Sequence, residues 1–239
     1  MLNFILIHGA WHTGSHLIPV IRELELRGHR AVAPTLPGRG ATAGKSVTHL
    51  QLVESVVSFA ERENLSDFVL VGHSAGGAII ARVAEEIPER IRRLVFWNGF
   101  VPLPGESLAD CLPPHYRAMF EAAAAQSGTT TLPYPVWRET FINDADEALA
   151  RSSFASLCPE PFAPVTEKLD LSRFYRTALP KSYLNATEDI ALPPGEWGWH
   201  PRMSSRLGLY RLVQMPGSHQ VLFTNPAGVA EKLILAGRD

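Results

Sequence analysis

The sequence predicts an α/β sandwich: a mostly parallel sheet of about six strands, helices on both faces, and a helical insertion after the fourth strand. Three observations carry the prediction. Short β-rich apolar runs alternate with amphipathic stretches of helical period, and such alternation implies parallel pairing through crossover connections. The runs are apolar at successive positions, as strands covered on both faces are. Between residues 102 and 180 the alternation stops and prolines become frequent.

Residues 4–7 form the first strand, ended by His8-Gly9. A helix follows over 15–27, where Leu17, Ile21 and Leu24 recur at spacings of four and three, Pro19 lies in the first turn and Gly28 supplies the stop. Residues 31–33 read as a short second strand, and the next helix carries Leu50, Val53, Val57 and Ala60 on one face. The third strand, 68–71, runs into a small-residue helix over 75–87 that Pro88 stops, and 91–97 is the fourth strand. In 102–180 only 121–125 and 145–152 look helical, and no strand of comparable strength is expected. The alternation resumes with a strand at 182–186, a helix around 196–206, a strand at 209–214 and a last helix over 226–235. Residues 1–101 and 181–239 are therefore expected to form the core and 102–180 a helical cap.

Composition narrows the function. At 239 residues the chain has room for a sizeable core, and its 46% hydrophobic and 19% charged content is that of an ordinary folded domain. No window approaches the roughly 18 apolar residues of a membrane span. A net charge of -2 without any Lys/Arg run gives no reason to expect nucleic acid or anionic lipid, so a small neutral ligand fits better. Cys111 and Cys158 lie far apart outside any Cys-x-x-Cys pattern, and the first residues show no charged n-region or cleavage site. Reduced thiols and a cytoplasmic location are the expectation.

Gly72-His73-Ser74-Ala75-Gly76 fits Gly-x-Ser-x-Gly, a pattern that average residue usage yields by chance in about one chain in ten of this length. Its context is more specific: it follows a strand and opens a helix, the setting of a nucleophile elbow, although an ordinary glycine-rich helix start shares its composition. Gly72, Gly76 and Gly77 keep bulk away from a turn sharp enough to lift a serine above the sheet. A serine hydroxyl needs a base to take its proton and a third group to orient that base. Of nine histidines, His219 lies in the turn Pro216-Gly217-Ser218-His219 after the last strand, on the sheet edge of the elbow; a solvated loop histidine is the plain alternative. Asp189 follows the strand at 182–186 on that edge and precedes His219, with Glu188 its rival.

The amides of Ala75, at a helix N-terminus, and Ala10, in the loop after the first strand, are the candidate oxyanion donors. Trp11 either walls the acyl pocket or packs under the loop, and His12 and His200 are candidate pocket residues. His73, adjacent to the serine, is read as support for the loop. His8, His12 and His16 recur every four residues, but Gly9 and Gly14 interrupt that stretch, so no helical metal site is expected. Neither metal nor cofactor is required.

The stretch Phe4-Ile5-Leu6-Ile7-His8-Gly9-Ala10-Trp11-His12, with Gly72 to Gly77, Thr187-Glu188-Asp189 and Gly217-Ser218-His219, resembles the α/β-hydrolase superfamily over nearly the whole chain. It is most similar to the branch holding plant methylesterases, hydroxynitrile lyases and small bacterial esterases. The resemblance implies Ser74 as nucleophile, Asp189 as acid, His219 as base, and Ala10 and Ala75 as oxyanion amides. Hydroxynitrile lyases of this branch carry a threonine where Gly9 stands and a lysine where Gln220 stands, which favours an esterase. Dehalogenases and epoxide hydrolases place an aspartate where Ser74 stands.

The expected function is a cofactor-free serine hydrolase that cleaves a small apolar or aromatic carboxylic ester. Trp11, His12, Trp137 and Gln220 are expected near the substrate, and cap aromatics such as Tyr116, Phe120, Phe141 and Phe162 either line the pocket or fill the cap core. Two other readings keep the fold. One is a lyase or cofactor-independent dioxygenase using His219 and Asp189 as a dyad; the other is a retired enzyme that only binds a ligand. The partner is a small-molecule ester rather than nucleic acid or membrane, and a homodimer is one possible assembly.

Overall fold

The computed structural model describes residues 1–43 and 46–239. Six strands, β1 (Asn3–Ile7), β2 (Arg30–Val32), β3 (Phe68–His73), β4 (Ile91–Trp97), β7 (Lys181–Ala186) and β8 (Arg211–Met215), make one sheet in the order β2-β1-β3-β4-β7-β8. All neighbours are parallel. Each strand therefore returns through a crossover, and helices cover both faces. On one face, Phe4, Leu6, Val69, Val71 and Val95 pack against Val20 and Leu24 of α1 (Ile18–Leu26) and Val229 and Leu233 of α9 (Pro226–Gly237). On the other, Ile5, Ile7, Leu70, Leu94 and Phe96 meet α2 (His49–Arg62) and α3 (Gly76–Glu86). Strand alternation assigns the two faces, so both must be apolar.

Three expectations are corrected in detail. The buried face of α2, whose start Thr48 and Gln51 cap, is His49, Leu52, Val53, Val56 and Ala60, and the helical period leaves Leu50 exposed on the opposite side. No α-helix forms around 196–206; turns lead to a 3₁₀ turn at Ser204–Leu207. Gly195 at φ 86° and Pro201, which has no N–H to donate, deny that stretch a continuous ladder. The expected strand at 31–33 lies one residue earlier, and that at 209–214 begins two residues later.

Between β4 and β7 the chain runs through α4 (Pro114–Ser127), α5 (Tyr134–Val136), which passes into a π turn at Trp137–Phe141, α6 (Glu147–Ala155) and α7 (Ala163–Thr166). A two-residue antiparallel ladder, β5 (Thr129–Thr130) with β6 (Glu160–Pro161), pairs Thr130 with Glu160. A short helix, α8 (Val221–Thr224), precedes α9. No helix among the described residues is long and apolar enough to cross a membrane.

β1 is followed in space by β2 on one side and β3 on the other, so the strand order reverses between β1 and β3. Crevices at such switch points open at the carboxyl ends of the strands. The loops after β1 and β3 therefore face the same opening.

Candidate active site

Ser74 follows β3 with φ 54°, a left-handed conformation that costs a residue with a Cβ about 1 to 3 kcal/mol and persists only where its surroundings impose it. The surroundings are specific. The Ser74 N–H donates to the Trp97 carbonyl (3.1 Å), and the Ser74 carbonyl accepts from the amides of Gly77 and Phe100 (3.0 Å each). A Cβ on Gly72 would stand 2.5 Å from the Gly76 carbonyl oxygen, so the elbow closes only with glycine there. The Ser74 hydroxyl makes no hydrogen bond among the described residues and borders a pocket.

His219 borders the same pocket, with no hydrogen bond to Ser74; catalytic hydrogen bonds of ligand-free enzymes are often long. Its Nδ1–H donates to Asp189 Oδ2 at 2.6 Å, which leaves Nε2 with the lone pair. Both side chains are buried. Asp189 Oδ1 accepts from the Ala191 amide (2.9 Å), and Glu188 is exposed instead. Trp199 stacks on the His219 ring at 5.0 Å and 11°, Phe141 meets it edge-on, and His73 lies on another side at 4.7 Å. His73 Nε2–H donates to the His219 carbonyl (3.0 Å), tying the turn at Ser74 to the loop that carries His219.

Sequence reasoning missed Asn98. It follows β4 at φ 34°, wholly buried, and its amide nitrogen donates to Asp189 Oδ2 (2.7 Å) while its Oδ1 accepts from the Ala186 amide (2.6 Å). One side chain thus holds both the carboxylate and the end of β7 that delivers it. The signal was there, a polar residue between apolar β4 and Gly99 on the carboxyl edge, but nothing local says which residue it meets.

The amides of Ala10 and Ala75 find no acceptor among the described residues, and both residues border the pocket. His8 orients the first of them. Its Nδ1–H donates to the Gly9 carbonyl (2.9 Å), its Nε2 accepts from the Leu36 amide (3.1 Å), and a planar peptide fixes the Ala10 N–H once the Gly9 C=O is fixed. Burial, and after it the Arg39 guanidinium, pushes the His8 pKa well below its ordinary value, which keeps that donor–acceptor pattern. Burial likewise lowers His73, and takes His12 down to about 3.

The pocket is narrow, about 50 Å3, where one water takes roughly 10 to 15 Å3 on the same measure. Trp11, Phe100, Tyr116, Phe120, Phe141 and Trp199 are among the residues of its wall. The four expected substrate neighbours divide. Trp11 borders the pocket, but His12, Trp137 and Gln220 do not. Trp137 is wholly buried within the insertion, its Nε1–H donating to the Ala150 carbonyl (3.2 Å). His12 is turned into its own loop, with Nδ1 on the Ala10 carbonyl (2.6 Å) and its ring against Trp137. Gln220 is buried. His200 bonds Ser204 Oγ (2.7 Å) and also lies outside the pocket lining.

The family model described as "Alpha/beta hydrolase family" matches residues 4–232. A carbendazim hydrolyzing esterase from Nocardioides sp. (strain SG-4G) is 33% identical over 99% of this chain and all of its own length. An alpha-hydroxynitrile lyase from Arabidopsis thaliana is 24% identical, over 99% of this chain and 97% of its own. Among solved structures, an extracellular alpha/beta-hydrolase from a Paenibacillus species, described as sharing structural and functional homology with tobacco salicylic acid binding protein 2, superposes with a TM-score of 0.98 at 42% identity, covering both chains fully.

Proposed function

Because the chain belongs to the alpha/beta hydrolase family and has esterases among its relatives, we propose that it is a cofactor-free serine hydrolase cleaving a small carboxylic ester through an acyl-enzyme on Ser74. The observation that carries the reading is the strained Ser74 sharing one apolar pocket with a His219 whose Nδ1 is bonded to a buried carboxylate. Ser74 Oγ attacks the ester carbonyl while His219 Nε2 takes its proton. The Ala10 and Ala75 amides receive the developing oxyanion, a contribution of about 2.7 to 4 kcal/mol per donor in comparable sites. His219 then protonates the departing alkoxide. A water, deprotonated by the same nitrogen, attacks the acyl-enzyme, and the carboxylic acid leaves as Ser74 regains its proton. Asp189 steadies the imidazolium in both halves.

Residues 102–180 act in this reading as a cap over the strand ends, since they supply Tyr116, Phe120 and Phe141 to the pocket wall. The apolar lining and small volume favour a short or flat apolar acyl group. The lyase reading loses support at Gly9: a Cβ there would stand 2.8 Å from Ser74 Cβ, so this backbone has no room for the lyase threonine. The extracellular relative weighs against the expected cytoplasmic location.

The test is hydrolysis of p-nitrophenyl acetate and butyrate together with fluorophosphonate labelling. Ser74→Ala is expected to lose at least 10³-fold in kcat and all labelling. Turnover at the wild-type rate in that variant would remove the covalent mechanism.

A further inference from the structure

The insertion holds Trp11, in the loop after β1, by hydrogen bonds. The Trp11 N–H donates to Glu160 Oε2 (3.1 Å), the Trp11 carbonyl accepts from the Cys158 amide (2.9 Å), and the indole Nε1–H donates to the Thr130 carbonyl (3.1 Å). Trp11 has φ 62°, a conformation that a bulky residue keeps only where its surroundings over-determine it. Glu160 is itself clamped. Arg39 Nε donates to Oε2 (2.9 Å), Arg39 Nη2 donates to Oε1, and Arg39 Nη1 donates to the Pro37 carbonyl (2.9 Å). The two side chains are 2% and 3% exposed.

A buried ion pair is weak ground for stability, because desolvation offsets its attraction. This one does something more particular: it aims a carboxylate lone pair at a single amide. The Ala10–Trp11 peptide is held at its N–H edge by Glu160 and at its C=O edge by His12 Nδ1 (2.6 Å). With the Trp11 N–H so engaged, the Ala10 N–H is left for the oxyanion.

We infer that Glu160, held by Arg39, is a positioning residue for the oxyanion loop, so that docking of the insertion sets the catalytic geometry of the core. The inference rests on the ester-hydrolase reading. A donor misplaced by about 1 Å costs on the order of 10²-fold, so the expected effect is a 10- to 100-fold loss in kcat.

Two double variants separate positioning from packing. Glu160→Leu/Arg39→Met removes the charges and the acceptor, a replacement that buried ion pairs often tolerate in stability. Glu160→Gln/Arg39→Met keeps an oxygen for the Trp11 amide. With p-nitrophenyl acetate, the first is expected to lose about 10- to 100-fold in kcat at a KM within about threefold of wild type, and to weaken a trifluoromethyl ketone, which forms a tetrahedral adduct on Ser74, by the same factor. The second is expected within about fivefold of wild type in both. Wild-type kcat and ketone affinity in the first variant, or equal losses in the two, overturn the inference. If the first does not fold, the second decides alone: a loss of tenfold or more at unchanged KM overturns it. A wild-type protein without ester turnover or fluorophosphonate labelling would instead sink the hydrolase reading.

Discussion

Adding one methyl group at Gly9 tests how tightly the loop after β1 and the turn at Ser74 are set against each other. An ideal Cβ there stands 2.8 Å from Ser74 Cβ, 3.2 Å from His73 Nδ1 and 3.4 Å from the His73 carbonyl oxygen. Carbon atoms rest at about 3.5 to 4.0 Å, so the first pair has to separate by about 0.7 to 1.2 Å. None of the three atoms is the loose end of a flexible chain. Ser74 Cβ rides on a backbone locked by Trp97, Gly77 and Phe100, and the His73 ring is tied to the His219 carbonyl. The methyl group therefore displaces either the Ala10 amide or Ser74. A shift of that size costs on the order of 10²-fold in rate, so Gly9→Ala is expected to lower kcat for p-nitrophenyl acetate about 30- to 100-fold with KM little changed. Overpacking of this kind costs about 1 to 3 kcal/mol, and a chain of this size loses roughly 2 to 4 °C in Tm per kcal/mol. Steady-state kinetics, corrected for the fraction of sites that a fluorophosphonate titrates, and a thermal melt read both effects. A folded Gly9→Ala protein with kcat/KM within threefold of wild type would refute the reasoning, because the loop would then yield at no catalytic cost.

Asn98→Leu leaves the Ala186 amide without its buried acceptor and Asp189 without one of its donors, so it is expected to cost about 2 to 4 kcal/mol in urea unfolding and at least tenfold in kcat; a variant as active as wild type would deny that Asn98 positions Asp189 for the reaction. Trp137→Phe removes the indole donor while the Ala150 carbonyl keeps the Ser153 hydroxyl, so it is expected to lose about 0.5 to 1.5 kcal/mol while KM stays within twofold, and a large KM change at unchanged Tm would return Trp137 to the substrate's side. Stability should fall with acid. His8, His12 and His73 have folded pKa values depressed by burial, so they are neutral in both states above about pH 7.5. Below about 6.5 the unfolded chain takes up protons that the fold refuses, and stability drops by up to about 1.4 kcal/mol per histidine per pH unit on the way toward His12's folded value of about 3. A urea midpoint clearly lower at pH 5 than at pH 7.5 is expected, and equal midpoints would contradict buried neutral histidines.

What the amino-acid order determined by itself is what short-range rules govern. Runs such as 68–71 and 94–97, apolar at every position, read as strands covered on two faces, and their alternation with helices dictates parallel pairing. Gly72 announces a turn that no Cβ would permit, because the clash is with the Gly76 backbone four residues on, whereas Gly76 and Gly77 answer to the distant backbone of Ile7 and Phe100. Chain order and edge position also named Asp189 and His219 as candidates, but with Glu188 beside the first. Only the tertiary structure turned Asp189 to within 2.6 Å of the imidazole and left Glu188 in solvent. It alone brought in Asn98, which is 91 residues from the carboxylate it holds, and Glu160, which is 149 residues from the amide it receives. It also sent Trp137 into the insertion's core rather than to the substrate. The reason is physical: a residue's backbone state is biased by its immediate neighbours, whereas the partner of a buried polar or aromatic side chain is settled by which distant surfaces pack together, and no local pattern encodes that.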